Sequence, residues 1–134
     1  MGGQAQPAPQ FTATVDGQRI HFVHARSPEP DAMALLALHG WPGSVVELHE
    51  VIGRLADPRA HGGEAADAFS VVAPSLPGFG FSGPTSEPGW DVARITGAMA
   101  TLPERLDHYG SACTGRGPHL LARHSRCARA HTRY

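Results

Sequence analysis

The chain has 134 residues, 41% hydrophobic and 17% charged, which suits one small globular domain and is too short for two. Its net charge of −1 hides a sharp division: residues 1–107 carry 6 Arg against 12 acids, or −6, while residues 108–134 carry 5 Arg and no acid, or +5. No apolar run exceeds the seven residues Ala32–Leu38, residues 1–10 lack the basic and apolar stretches of a signal peptide, and two cysteines make no disulfide framework, so membrane-spanning and secreted disulfide-rich classes are excluded and a cytoplasmic protein is expected.

Residues 1–10 are Gly, Gln, Ala and Pro with little to bury and read as a flexible lead-in. Phe11–Val15 and Gln18–Ala25 flank Asp16-Gly17, a dipeptide that accepts the positive φ angles of a two-residue hairpin turn. Ile20 and Phe22 alternate with Arg19 and His21, which predicts a strand with one buried face. After the Ser27–Asp31 turn, Met33–Leu38 is apolar on both faces and predicts a central strand covered from both sides. His39-Gly40-Trp41-Pro42-Gly43 ends it. Ser44 and Glu47 then form a capping box, and Leu48, Val51, Ile52 and Leu55 recur at the spacing of one helical face, ending near Ala56 before Pro58.

Residues 57–68 read as a polar loop, Phe69–Ala73 as a second buried strand, and residues 74–88 as a long Pro/Gly loop. From Asp91, an N-cap, the residues Val92, Ile95, Met99 and Leu102 mark another helix, which Gly97 weakens and Pro103 should end or kink. The order hairpin, strand, helix, strand, helix implies an α/β architecture, parallel strands alternating with helices after an initial hairpin. Beyond Tyr109 the pattern stops, and residues 108–134 are expected to be disordered because they bury too little.

A loop such as residues 39–44, at the carboxyl end of a strand and opening into a helix, presents backbone N–H groups where α/β proteins bind ligands. Such groups can stabilise negative charge developing on oxygen, although an ordinary tight turn needs the same Gly and Pro residues. The second strand exits into Pro74-Ser75-Leu76-Pro77-Gly78-Phe79-Gly80-Phe81-Ser82-Gly83. The Gly78–Gly83 spacing also matches a dinucleotide fingerprint, but Pro84 follows and no helix opens there. Ser82 lacks the second glycine of a serine-hydrolase elbow and reads as a turn serine.

Together the two runs, with Asp16-Gly17 and His21-Phe22-Val23-His24, resemble the α/β-hydrolase superfamily, and within it the epoxide hydrolases of the microsomal type, over roughly Phe11–Tyr109. The resemblance implies an oxyanion hole shaped by His39, Gly40, Trp41 and Pro42, with the Trp41 backbone N–H facing the oxyanion. It gives Gly78, Gly80 and Ser82 the support of the neighbouring loop. His39 is a motif residue rather than a base, and Trp90 a packing aromatic. The implied reaction is hydrolysis of a small-molecule epoxide to a vicinal diol through an Asp ester, with no cofactor and no metal.

That Asp belongs on an elbow after one further strand, typically Gly-Gly-Asp-Trp-Gly. Laid without gaps, the elbow falls on Cys113-Thr114-Gly115-Arg116-Gly117, with Gly115 in the nucleophile's place, and no Asp or Glu follows Asp107. The nucleophile, the acid and the base are thus absent, and the expectation is an N-terminal portion of such an enzyme over residues 11–107, inactive alone. Residues 108–134 read as an out-of-frame tail of a GC-rich gene. A haloalkane dehalogenase or esterase portion is one alternative. A non-catalytic module that self-associates through an exposed sheet edge is the other. Cys113, His119, His124, Cys127 and His131 fit no common zinc spacing, and the tail's Arg residues belong to no nucleic-acid reading module.

Overall fold

Asp16 and Gly17 both take positive φ, +50° and +74°, and reverse the chain between β1 (Gln10–Val15) and β2 (Gln18–Ala25) in a computed structural model that describes residues 8–40 and 43–106, with the backbone of 112–115. The two strands pair antiparallel from Gln10 opposite Val23 to Val15 opposite Gln18. Just before β1 the Pro9 carbonyl accepts from His24 N–H at 3.0 Å, and Ala8 packs against the apolar cluster on the α1 side.

The apolar runs become β3 (Met33–Leu38) and β4 (Phe69–Pro74), parallel to each other, with β4 antiparallel to β2. A further strand, β5 (Ala112–Gly115), lies parallel to β3 on its other side, Leu38 standing opposite Gly115. The five-stranded order is β1-β2-β4-β3-β5. Residues 112–115 of the expected tail thus take strand pairing beside β3, although they have no apolar periodicity of their own. The remainder of 108–134 lies outside the described residues.

The Ser44 capping box opens a single 3₁₀ turn, Val45–Leu48, which continues as helix α1 (His49–Ala56). Asp91 caps α2 (Val92–Arg105), its carboxylate accepting from Arg94 N–H at 2.9 Å. Pro103 lies within the last turn, and the helix stops two residues beyond it. The helices cover opposite faces of the sheet. On the α2 side Ile20, Phe22, Leu36, Leu38, Val72, Met99 and Leu102 pack together, and on the α1 side Ala37, Val45, Ile52, Ala56, Val71 and Ala73 do. Each large side chain buried here contributes about 1.5–3 kcal/mol.

Two apolar positions expected in those faces point outward. Val51 and Val92 are about half exposed, since the α1 stripe runs through Leu48, Ile52, Leu55 and Ala56 and the α2 stripe through Ile95, Ala98, Met99 and Leu102. His21 departs the other way. The alternation puts it on the solvent side of β2, yet it is buried, because the loop after β4 folds over that face.

Candidate functional site

Two loops leave the carboxyl edge of the parallel strands, residues 39–44 after β3 and residues 75–83 after β4. His39 stands at the end of β3 and is 1% exposed. Its Nε2 accepts from the Leu76 backbone N–H at 3.1 Å, and its Nδ1 lies 3.2 Å from the Gly40 carbonyl. An N–H donor at Nε2 requires that nitrogen to be unprotonated, so the ring is neutral with its proton on Nδ1, donated to Gly40. The Phe79 ring meets the imidazole edge-on at 6.0 Å between centroids. One buried imidazole therefore ties the two loops together.

Gly40 and Gly43 are joined by a 2.8 Å hydrogen bond from Gly43 N–H to the Gly40 carbonyl. Trp41 and Pro42, the middle of the expected oxyanion hole, lie outside the described residues. Beyond them the Glu47 carboxylate receives the Ser44 N–H at 3.2 Å and fills the space where a side chain on Gly43 would begin. Glycine at 43 is therefore a steric condition of the capping box.

The second loop is bound to the hairpin. Ser75 N–H donates to the His21 carbonyl at 2.8 Å, and the Ser75 hydroxyl lies 2.9 Å from His21 Nδ1. Ser82 Oγ donates to the Ser75 carbonyl at 2.5 Å and accepts from His21 N–H at 3.0 Å. Gly80, at φ +49°, leads the chain into Ser82, and a Cβ there would stand 3.9 Å from Ser44 of the first loop. Gly78 also has positive φ, +85°, and its N–H donates to the Gly83 carbonyl at 3.1 Å, closing the turn. Gly78, Gly80 and Ser82 thus occupy one tight bend beside the first loop.

Further along, buried Gln18 accepts from Ser86 N–H at 3.0 Å. Arg94 reaches Asp16 at 2.7 Å and Glu87, and its guanidinium lies 4.3 Å above the Trp90 ring. The hydrogen bond from Arg94 holds the Asp16 carboxyl below its usual range and raises the guanidinium further. Trp90 itself packs against the α2-side core.

The residues to which the sequence reading gave no part in this region are His21, Ser75 and Gln18. Their only sequence signal is polarity inside otherwise apolar strands and strand ends, which local periodicity assigns to solvent. Among the described residues no three His, Cys, Asp or Glu side chains converge as a metal would require, and no helix is long and apolar enough to cross a membrane.

Residues 4–48 match the family model described as epoxide hydrolase N terminus. An epoxide hydrolase homologue of Stigmatella aurantiaca is 52% identical over 100 residues, covering 75% of this chain and 23% of that protein. Epoxide hydrolase 1 of Oryctolagus cuniculus is 40% identical over 102 residues, covering 73% and 22%. The juvenile hormone epoxide hydrolase structure from Bombyx mori superposes with a TM-score of 0.66 at 32% identity, over 82% of this chain and 29% of that one. The chain thus spans less than a quarter of the length of these two curated relatives.

Proposed function

The chain belongs to the epoxide hydrolase family of the α/β-hydrolase fold, and we propose that it carries the oxyanion-stabilising half of that family's site and no nucleophile. The observation that carries this reading is the His39–Leu76 hydrogen bond, which joins both motif loops into one unit at the carboxyl edge. His39 acts there by position: with both ring nitrogens engaged inside the protein, it has no lone pair to offer a substrate water. Gly40, Trp41 and Pro42 extend from it, and the Trp41 N–H is the donor to a developing oxyanion.

The end of β5 supports the second half of the proposal. Parallel pairing to β3 sets Gly115 opposite Leu38, beside the strand end from which the first loop departs. A nucleophile on the strand following α2 would leave the sheet there. Glycine offers no side chain for attack, and no carboxylate follows Asp107 in the sequence. The 134-residue chain is therefore inactive toward epoxides by itself, although its family's substrates are small-molecule epoxides, opened to diols through an Asp ester. The family model and both relatives carry the epoxide hydrolase name, which favours this branch over a haloalkane dehalogenase or esterase.

The test is diol formation from an aryl epoxide in ¹⁸O water. The purified chain should give none above the uncatalysed rate. A chimera in which residues 11–106 replace the matching segment of the Stigmatella aurantiaca homologue should turn over. In that chimera Trp41→Pro, which deletes the N–H, should lower turnover by about 10²–10³-fold. Diol made by the 134-residue chain, or an unimpaired Trp41→Pro chimera, would reject the reading. A second role rests on the sheet: in the described residues β5 pairs only with β3 and β1 only with β2, so both outer edges are open to a second copy. Sedimentation that shows a monomer at all concentrations would exclude it.

A further inference from the structure

His21 is a buried imidazole whose backbone N–H and carbonyl and one ring nitrogen all meet a single loop. Its N–H goes to Ser82 Oγ at 3.0 Å, its carbonyl accepts from Ser75 N–H at 2.8 Å, and its Nδ1 faces Ser75 Oγ at 2.9 Å. The remaining ring nitrogen, Nε2, meets Gln10 Oε1 at 2.8 Å. An amide oxygen can only accept, so Nε2 carries the proton and Nδ1 is left as the acceptor of the Ser75 hydroxyl. The Phe81 ring closes over the imidazole at 5.0 Å between centroids.

We infer that neutral His21 is a proton-sensitive latch, holding the 75–83 loop, and through Leu76 the His39 segment, against the hairpin. The inference stands whether or not the chain takes part in epoxide hydrolysis, since it concerns only the loop's attachment. A proton on Nδ1 turns an acceptor into a donor. The Ser75 hydroxyl, 0% exposed, then loses the acceptor of its own hydrogen. The new charge also meets no acidic partner on these elements. β1 (Gln10–Val15), β4 (Phe69–Pro74) and residues 75–83 contain no acidic, basic or histidine side chain, so Gln10, Ser75 and Ser82 face the ring as neutral groups. On β2 the charge it meets is Arg19, of like sign.

Burial first, and then Arg19, lower the His21 pKa below its ordinary 6.5. The sign follows from linkage. The released loop binds the proton more readily than the latched one, so the latch is complete above about pH 6.5 and weakens as pH falls from there to the folded-state value.

The test is side-chain ¹⁵N NMR with amide hydrogen exchange on the full 134-residue chain. The expected spectrum has Nε2 protonated and Nδ1 bare at neutral pH, with a midpoint below 6.5. Protection at Ser75, Leu76 and Ser82, corrected for intrinsic rates, should fall by up to about tenfold per pH unit between pH 6.5 and that midpoint and level off below it. In His21→Asn the side-chain oxygen takes the place of Nδ1 but cannot titrate, so that acid step should vanish while Leu36 and Val72 stay protected. A bare Nε2 at neutral pH, a midpoint at or above 6.5, or an acid step retained in His21→Asn would each overturn the latch. If His21→Asn does not fold, the wild-type tautomer and midpoint decide alone.

Discussion

The two loops at the carboxyl edge differ in how they are held. Residues 75–83 are fastened to the hairpin by three hydrogen bonds from Ser75 and Ser82 to His21, and a fourth joins Ser82 to Ser75 within the loop, all inside the protein. Residues 39–44 make their described link to that loop through His39, together with a partly exposed cap at Ser44. The second loop is thus the scaffold and the first hangs from it. A loop that offers backbone N–H groups to a ligand must leave them unpaired, so its position has to come from elsewhere, here from an imidazole one residue upstream of Gly40.

Removing the single link should have the largest effect. His39→Ala strands the Leu76 N–H in the interior and leaves a void between Phe79 and the strand end, a loss of about 3–4 kcal/mol in urea unfolding. Loss below 1 kcal/mol would mean that the two loops are held independently. Ser82→Ala comes next. It leaves His21 N–H and the Ser75 carbonyl without that partner, costing about 1–3 kcal/mol, and should raise exchange at Leu76 as well as at Ser75 if the first loop depends on the second. Ser44→Ala removes an exposed helix cap and should cost about 1 kcal/mol, with Ser75 and Ser82 unchanged in exchange.

The smallest effect belongs to the far side of the hairpin. Arg94 lowers the Asp16 pKa from 3.8, so the pair's contribution is present above pH 3.8 and fades as pH falls through the folded-state value. Asp16→Asn, which tolerates the positive φ at that turn, should flatten the acid limb of a stability–pH curve below pH 4 and leave neutral-pH unfolding nearly unchanged, as expected of an exposed pair.

Much of this framework is legible in local sequence. Asp16-Gly17 sets the hairpin, the both-sided apolar run Met33–Leu38 sets the central strand, and Ser44 and Asp91 mark the helix starts, because each signal acts within a few residues. What stays hidden depends on distant partners. His21 is buried by residues 54 and 61 positions away, so its alternation with Ile20 and Phe22 reads as exposure. Ala112–Gly115 has no strand periodicity, and its place beside β3 depends on pairing with a strand far away in sequence. Gly78, Gly80 and Ser82 are recognisable as a motif, but not the fact that the Ser82 hydroxyl bridges two backbone groups. The family resemblance supplies the chemistry that His39–Pro42 would perform, and the structure supplies the anchor at Leu76.

The most direct test is native-state hydrogen exchange at a single amide, that of Leu76. If His39 carries the first loop on the second, this N–H is as protected as the Val71 and Val72 amides of β4, and His39→Ala lowers its protection by far more than the global destabilisation lowers theirs. Exchange at an unprotected loop rate in the unmodified chain would contradict it, and with it the joined oxyanion-stabilising unit on which the proposed function rests.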